Sequence, residues 1–329
     1  MASSYSEAGV DISKVKGIQN AINSAIFAGK SGALVGHYAG IVELGGKKLA
    51  IHTDGVGSKV LVAQELGKYD TVGIDAIAMN VNDVICVGAT PLAGVDYLAL
   101  STPDAELVSE IMKGLLEGAK QSGIDIVGGE TAILPDIIKG GSKPFDLAFT
   151  VFGEVRGELV TGQAIKPGDA IIGLESSGLH SNGYTLARRV LDAKEWGGAM
   201  LAPTKIYVKP VLEMLGMCGP RIHGIAHITG GAFSKLMRLN KSCGFLLDRM
   251  PEPAPIFRAL SQGVPDVREM HRTFNMGVGM CIVAEKGCAE DILNVAKKHR
   301  VKAQVIGEIT REPGVWLVQG KEGKKIKLD

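Results

Sequence analysis

Three acidic residues stand beside small residues in this sequence, and their chemistry is that of ligands for a hard cation. They are Asp54 in the stretch TDG, Asp83 in VND and Glu130 in GGET, where Gly128 and Gly129 precede the glutamate. Magnesium takes carboxylate oxygens from separate loops and keeps waters and phosphate oxygens as its other ligands. Each residue alone could instead cap a turn or face solvent. Together, and beside two glycine loops, they favour a magnesium–nucleotide site.

The first glycine loop has the residue types that bind phosphate. In HTDGVGSK, Gly55 and Gly57 would let backbone amides approach an anion closely, and Lys59 could meet a phosphate as a point charge. The loop is not a Walker A motif, and Val60 stands where a dinucleotide-binding fingerprint has its third glycine. Lys59 could equally be a solvent-facing lysine at the start of a helix. The stretch alone is a weak signal.

The second half of the chain offers residues that could recognise a ligand. His180, Ser181 and Asn182 lie in the turn GLHSNGY, after a predicted strand. His180 could be a general base, a donor to a ligand phosphate or an exposed turn histidine, and the sequence does not choose among these roles. Thr229 in HITGGAF precedes a predicted helix and could help to bind an anion. Asn275 in RTFNMGVGM is a further candidate, although the neighbouring glycines could simply permit close strand packing.

The elements that must position these residues follow from hydrophobic periodicity. The stretch KKLAIHTD predicts a buried strand that ends at Asp54. Residues 72–87 predict a mostly apolar helix with a polar seam on one face. The residues of this seam are Asp75, Met79 and Asn82, with Asp83 at its border.

Further elements predict the domain organisation. A helix is expected over 101–122, with Ser101 or Thr102 as its cap and Gly123 as its stop. IDIV and DLAFTVFGEV predict strands, and a polar connection containing glycine and proline then places a domain boundary near residue 160. Helices and strands alternate irregularly on both sides of that boundary. We therefore predict an α+β protein with two domains, 1–160 and 161–329.

Composition excludes several classes of partner. The 329 residues include 36 Lys and Arg against 35 Asp and Glu, so no overall charge attracts nucleic acid or an anionic membrane. The five cysteines are odd in number and lack CxxC spacing, which argues against a disulfide framework or a structural zinc site and fits a reducing cytoplasm. We find no export signal and no long apolar run. A cytoplasmic protein with a small-molecule substrate is expected.

In order along the chain, these motifs resemble the aminoimidazole ribonucleotide synthetase family of purine biosynthesis. The resemblance covers nearly the whole chain and rests on eight segments in the family's order and spacing. They are YSEAGVDISKVKGI, TDGVGSK, YDTVGIDAIAMNVNDVICVGATPL, VGGETA, SSGLHSNGYTLARRVL, LAPTKIYVKPVL, HITGGAF and RTFNMGVGM.

The resemblance implies an ATP- and Mg²⁺-dependent cyclo-ligase that converts formylglycinamidine ribonucleotide to aminoimidazole ribonucleotide, ADP and phosphate. It also implies two α/β-sandwich-type domains, with the N-terminal sheet forming a shared barrel at a homodimer interface. Asp54, Asp83 and Glu130 would hold magnesium and ATP, with Lys59 and Lys16 near the phosphates. The ribonucleotide would face four residues: His180, Ser181, Asn182 and Asn275.

Two departures from the family pattern and two other functions remain open. AGKSGAL replaces a glycine-rich GGFGAL and brings in Lys30, while Leu134 and Asp136 replace the usual Met and Gly after GGETA. The chain could instead be another ATP-dependent kinase or synthetase of the same superfamily. It could also be a nucleotide-binding regulatory or scaffold protein that has lost turnover.

Overall fold

The chain folds into two β-sheets with helices packed on them, which confirms the predicted mixed α+β class. A computed structural model describes residues 17–18, 21–22, 24–25, 38–320 and 323–329. Lys16, Lys30 and the opening motif YSEAGVDIS lie outside these residues.

The first sheet has five strands in the order β1-β2-β5-β3-β4, of which β3 and β4 are parallel and the other neighbours antiparallel. Its strands are β1 (Gly40–Leu44), β2 (Lys47–Gly55), β3 (Ala89–Leu100), β4 (Asp125–Ile133) and β5 (Phe145–Val155). Within residues 38–155 the helices are α1 (Lys59–Leu66), α2 (Val72–Cys86) and α3 (Ala105–Ser122).

The second sheet has seven strands in the order β12-β11-β8-β10-β6-β9-β7, and only the β8–β11 pair is parallel. Its strands are β6 (Ala170–Glu175), β7 (Ile222–His227), β8 (Gly244–Leu247), β9 (Val278–Ala284), β10 (Ala303–Thr310), β11 (Gly314–Gln319) and β12 (Lys324–Lys327). The α-helices are α4 (Tyr184–Val190), α5 (Ala193–Met200), α6 (Val208–Cys218), α7 (Pro255–Gly263), α8 (Val267–Thr273) and α9 (Ala289–Lys298). Short 3-10 helices span Gly219–Arg221, Ala232–Arg238 and Lys286–Cys288.

Helix α2 lies at the centre of the molecule, as its apolar sequence requires. It contacts β2, β3 and β5 of the first sheet, and it also contacts β7 and α6 of the second half. Two glycines bring α2 close to α3, because a Cβ on Gly73 would lie 2.3 Å from the Leu115 nitrogen and one on Gly114 would lie 2.1 Å from the Asp70 oxygen. The predicted polar seam is therefore buried between the two halves of the chain.

The cap of α3 differs from the prediction. The N-cap is Asp104, whose carboxylate accepts a hydrogen bond from the Leu107 amide at 2.9 Å, rather than Ser101 or Thr102. Pro103 precedes this cap, so the cap lies two to three residues later than predicted. Gly123 ends the helix in the left-handed conformation (φ 74°), as predicted.

The first sheet has one face toward the helices and one exposed face, so the prediction of a fully buried β2 is wrong. Register places the exposed side chains in rows, such as Ile51 beside Phe152 and Ala148 beside Tyr97. We call this side the open face. Its large apolar residues are between 40% and 67% exposed: Val42, Leu44, Ile51, Val95, Tyr97 and Phe152.

Strand β3 was not predicted, although it joins β5 to β4. Its sequence, ATPLAGVDYLAL, contains proline, glycine and aspartate, which interrupt a simple strand pattern. Register shifts at Pro91/Ala93 and Gly94/Val95 accommodate these residues. Gly94 is required by packing, because a Cβ there would lie 2.3 Å from the Phe149 ring.

In the part of the chain that the structure describes, each helix is either too short or too polar to cross a membrane.

Candidate active site

The glycine loop begins at the end of β2, where Asp54 faces the helix side of the sheet beside buried Phe149. The Gly55 amide donates to Asp54 Oδ1 at 2.8 Å, and Asn80 Nδ2 on α2 donates to the Asp54 carbonyl at 3.1 Å. Gly57 has φ 67°, which only glycine adopts freely. The loop is thus anchored to α2 while its backbone turns outward.

The turn that contains Ser181 and Asn182 lies against this glycine loop. Ser181 Oγ donates to the Val56 carbonyl at 2.6 Å, and the Ser58 and Thr185 hydroxyls lie 3.3 Å apart. Together the two loops line a cavity of about 270 Å³. Its walls are Asp54, Gly55, Val56, Gly57, Ser58, Met79, Ser181, Asn182, Gly183 and Tyr184. The structure therefore brings these two sequence-predicted motifs from opposite halves of the chain to one cavity.

Asp83 on α2 is held by two histidines that the sequence analysis did not select. His227 Nδ1 lies 2.7 Å from Asp83 Oδ1, and His52 Nε2 lies 3.4 Å from Asp83 Oδ2. Burial alone would raise the pKa of Asp83, but the hydrogen bond from His227 and the nearby charges of His52 and Lys235 outweigh it and lower the pKa. Asp83 is accordingly a carboxylate at neutral pH.

The ring of His52 is oriented by Asn80. Because Asn80 Nδ2 donates to the carbonyls of Asp54 and Ala76, its Oδ1 must accept, and it lies 3.0 Å from His52 Nδ1. His52 Nδ1 therefore carries a proton, and Nε2 faces the Asp83 carboxylate. A proton on Nε2 or a cation beside the carboxylate would satisfy this contact.

Asp54 and Asp83 form a pair of like charges. Burial, followed by repulsion from Asp83, raises the pKa of Asp54. A divalent cation would relieve this repulsion, and two carboxylates with water and phosphate oxygens form a suitable donor set for Mg²⁺. Within the described residues, no group of three His, Cys, Asp or Glu side chains is arranged to hold a metal ion. The pair could therefore hold magnesium with water and phosphate oxygens as the further ligands.

Glu130 is not brought to this pair within one chain, so the set of three carboxylates that the sequence analysis expected is not assembled. It lies inside β4 rather than in a loop, and β5 and β3 separate β4 from β2. Three strand spacings are about 14 Å. Glu130 also pairs in register with Tyr97 on the open face, opposite to the face of Asp54. Gly128 and Gly129 lie in the same strand, so β5 and β3 also separate them from Asp54.

Lys59 is fully buried, so neither expected environment, phosphate or solvent, is found. Its ammonium lies 2.9 Å from Asp75 Oδ1 and donates to the carbonyls of His180 and Ala202 at 3.1 and 2.7 Å. An ammonium has three donors. In this conformation all three have protein partners, and none is available to a phosphate.

Lys235 is the lysine that acts on the carboxylate pair. It lies in the 3-10 helix after HITGGAF, hydrogen-bonds the Thr229 hydroxyl, and its charge acts on both Asp54 and Asp83. Burial, with repulsion from Arg238, lowers the pKa of Lys235 to about 8. Thr229, one of the site residues predicted from the sequence, therefore holds Lys235 in place by a hydrogen bond. Neither the hydrophobic periodicity nor the glycine pair of HITGGAF singles out a lysine four residues further along the chain, so the sequence did not indicate Lys235.

His180 is fully buried and does not line the cavity. Its Nε2 accepts from the Ser177 amide at 3.3 Å, while Nδ1 is buried without a hydrogen-bond partner. Burial, followed by the charges of His227 and Lys59, lowers the pKa of His180 well below its usual value. The ring is thus neutral with its proton on Nδ1. Its acceptor nitrogen is already engaged, which does not fit a general base in this conformation.

Asn275 supports the second loop from behind. Its Oδ1 accepts from the Ser176 hydroxyl and the Gly277 amide, both at 2.9 Å, and its Nδ2 donates to the Gly178 carbonyl at 2.8 Å. Only 3% of Asn275 is exposed. It holds the backbone before His180 and does not face the cavity.

The two-sheet α+β fold of this chain defines a class of folds that is also found in solved structures of other proteins. The structure titled as the HypE–HypF complex aligns with a TM-score of 0.73 at 20% identity, covering 95% of this chain and 99% of that one. The structure titled "AaThiL complexed with AMPPCP and TMP" aligns with a TM-score of 0.69 at 17% identity, covering 94% of each chain. At such identities the likeness establishes the fold alone.

Sequence similarity identifies the family. Residues 36–155 match the N-terminal domain and residues 166–318 the C-terminal domain of AIR synthase related protein. The phosphoribosylformylglycinamidine cyclo-ligase of Methanocaldococcus jannaschii is 49% identical over 325 residues, which cover 93% of this chain and 91% of that protein. The chain belongs to the AIR synthase family.

Proposed function

We propose that this chain catalyses the ATP-dependent ring closure of formylglycinamidine ribonucleotide to aminoimidazole ribonucleotide, with release of ADP and phosphate. The observation that carries the proposal is the cavity between the two loops, beside the paired carboxylates Asp54 and Asp83, in a chain of this family. The relative from Methanocaldococcus jannaschii is named for the same reaction. We expect the enzyme to act in the cytoplasm as part of purine biosynthesis.

The reaction needs positioning more than a strong nucleophile. The γ-phosphoryl group of ATP is transferred to the formyl oxygen of the substrate, and ADP is released. The amidine nitrogen then attacks the same carbon, phosphate leaves with that oxygen, and loss of a proton gives the imidazole. Both steps require charge neutralisation and alignment of the two substrates.

The residues at and beside the cavity suit this need for charge neutralisation and alignment. Asp54 and Asp83 would hold magnesium, which when bound neutralises charge on the phosphates. Gly57 would let the phosphate chain approach the backbone of the first loop closely. Ser181 and Asn182 on the opposite wall would face the ribonucleotide. His180, a neutral ring that accepts from the Ser177 amide behind that wall, would keep the loop in place and would not remove a proton.

We assign the positive charge beside the phosphates to Lys235 in place of Lys59. Its pKa of about 8 means that the lysine loses its charge as the pH rises through 8, so affinity for an ATP analogue should fall above that pH. The groups that set this pKa besides burial are Arg238, Asp83, Asp54 and Cys86. Lys235→Met should weaken ATP-analogue binding roughly 10- to 100-fold, the loss of a charged hydrogen bond.

Titration calorimetry between pH 7 and 9.5 would measure this effect. Lys235→Arg keeps its charge throughout that range, so its affinity should be flatter with pH than that of the wild type. Lys241→Met, which changes a lysine beyond the same 3-10 helix, is the control. Unchanged affinity in Lys235→Met would assign the phosphate contact elsewhere.

The function itself is tested with purified protein, synthetic formylglycinamidine ribonucleotide, ATP and Mg²⁺. We expect ADP and aminoimidazole ribonucleotide in equal amounts, measured by a coupled ADP assay and by chromatography. Omission of the ribonucleotide should abolish ADP release, and thiamine monophosphate should not replace it. ADP formation with another acceptor and no imidazole product would favour a different member of the superfamily.

We also propose that the open face of the first sheet is the interface of a homodimer in which two such sheets form a shared barrel. The exposed apolar rows support this proposal, since contiguous apolar surface of this kind usually marks an association site. Residues of β4 at the edge of the sheet, including Glu130, would then lie close to the partner chain.

Phe152→Asp should convert the dimer to a monomer of 34.6 kDa, because it places a charge in the middle of the apolar rows. Size-exclusion chromatography with light scattering would measure the mass. Leu116→Asp is the matched control, because Leu116 is 59% exposed but lies on α3, away from the open face. A Phe152→Asp variant that keeps the wild-type mass would refute this interface.

A further inference from the structure

The ammonium of Lys59 joins the two halves of the chain. Lys59 and its partner Asp75 belong to the N-terminal family domain, whereas the carbonyls it contacts, those of His180 and Ala202, belong to the C-terminal domain. The ion pair has an N–O distance of 2.8 Å, and both side chains are fully buried. A single side chain therefore fixes two backbone positions of the other domain.

The carboxylate of Asp75 extends the same connection. Its Oδ1 accepts from the Thr204 amide at 2.8 Å and from the Thr204 hydroxyl at 2.6 Å. The Tyr184 hydroxyl lies 3.1 Å from the His180 carbonyl and also contacts the Met200 carbonyl, and its ring centroid lies 5.7 Å from the Lys59 ammonium. Lys59, Asp75, Thr204 and Tyr184 thus form one buried cluster, which we call the interdomain cluster.

We propose that Lys59 is a positioning residue, whose interdomain cluster sets the spacing between the glycine loop 54–58 and the loop 180–184. Lys59 directly follows the first loop, and its ammonium ends on the backbone of the second, where Ser181 and Asn182 form the opposite wall of the cavity. The proposal rests on the proposed function, because it gives the lysine of the DGVGSK motif a role in the same cavity without contact to phosphate.

Two features of the cluster favour positioning over simple stabilisation. A buried ion pair seldom contributes more to folding than apolar residues of similar size would, because both charges must be desolvated. His180 has φ 62°, an uncommon conformation for a residue other than glycine, and such conformations persist only when their surroundings hold them. The hydrogen bond that Lys59 donates to the His180 carbonyl, with the Tyr184 hydroxyl beside it, is in position to hold this conformation.

The test is the double variant Lys59→Met/Asp75→Asn. It removes both charges together, Met fills the space of the lysine stem, and Asn keeps an acceptor for Thr204. We expect a folded protein whose kcat/KM for the ribonucleotide falls about 100-fold, as a misplacement of about 1 Å produces. ATP-analogue affinity should be unchanged, and amide hydrogen exchange should become faster in residues 180–184 and 200–204.

Three controls keep the result interpretable. Lys298→Met removes an exposed ion pair with Glu213 and should change neither exchange in those segments nor kcat/KM. Thr204→Val weakens the same cluster without leaving a buried charge unpaired, so it serves if the double variant does not fold, and exchange in 200–204 should rise. The wild-type enzyme must itself form the imidazole product; if it does not, the proposed function fails, while hydrogen exchange still decides the positioning.

Three outcomes would overturn the proposal. If the folded double variant keeps wild-type kcat/KM and wild-type exchange, the cluster is only structural. If ATP-analogue affinity falls in proportion to the rate, Lys59 contacts the nucleotide and does not act through the loop. Unchanged exchange in Thr204→Val would likewise count against a role for the cluster in holding the second loop.

Discussion

Asp54→Asn should lower kcat/KM for ring closure on the order of 10³-fold, the effect of losing a preorganised charge at a phosphoryl-transfer site. Stability should stay the same or rise. Burial and the Asp83 carboxylate raise the pKa of Asp54, so its charged form is less favourable in the folded protein than in the unfolded chain. Above that raised pKa the charge destabilises the fold, and neutral asparagine removes the penalty.

Activity and thermal unfolding, measured on the same preparation, separate these effects. Addition of ATP and Mg²⁺ should raise the Tm of the wild type by mass action, and this rise should be smaller in Asp54→Asn. Asp192→Asn is the control, because Asp192 also accepts a bond from a backbone amide, that of Lys194 at 2.8 Å, but is exposed at the start of α5 and does not line the cavity. Wild-type turnover in Asp54→Asn would remove this residue from the site.

Asp83→Ala should damage both activity and stability, in contrast to Asp54→Asn. It removes the acceptor of a 2.7 Å hydrogen bond and leaves the His227 Nδ1–H buried without a partner. An unsatisfied buried donor costs about 1–3 kcal/mol. Denaturant unfolding at pH 7 would measure this loss, and the ADP assay should show turnover near background.

Asp83→Asn separates the loss of stability from the loss of activity. The asparagine Oδ1 can still accept from His227, so most of the stability should return, but the negative charge is absent and turnover should stay low. If Asp83→Asn restored activity together with stability, Asp83 would be only a structural partner of His227 and not a ligand for the cation.

The sequence identified the residues whose roles depend on local chain geometry. Asp54 and its glycines, and Ser181 with Asn182, are each short motifs in a turn after a strand, and both are found at the cavity. Helix α2 was predicted within one residue of its observed end because its apolar spacing is regular. These features depend on neighbours in sequence, which periodicity and turn chemistry describe.

The remaining features depend on contacts between distant segments. Whether Lys59 faces solvent, phosphate or a buried carboxylate depends on the opposite domain, which one motif does not reveal. Glu130 lies three strands from Asp54 within one chain because β3 stands between β4 and β5, and the proline, glycine and aspartate of β3 hide its strand pattern. His52 and His227 lack motif spacing to Asp83, being 31 and 144 residues away along the chain.

The polar side chains of α2 make their contacts from fixed positions along one helix. A change in the number of residues in α2 would therefore disturb these contacts. Asp75 bonds Thr204, Asn80 bonds the Asp54 carbonyl, and Asn82 accepts from the Tyr207 amide at 3.0 Å. One inserted residue would rotate everything beyond it by about 100°. Insertions inside α2 would therefore disrupt all of these contacts at once, whereas we expect the exposed segment 139–142 to tolerate changes in length better.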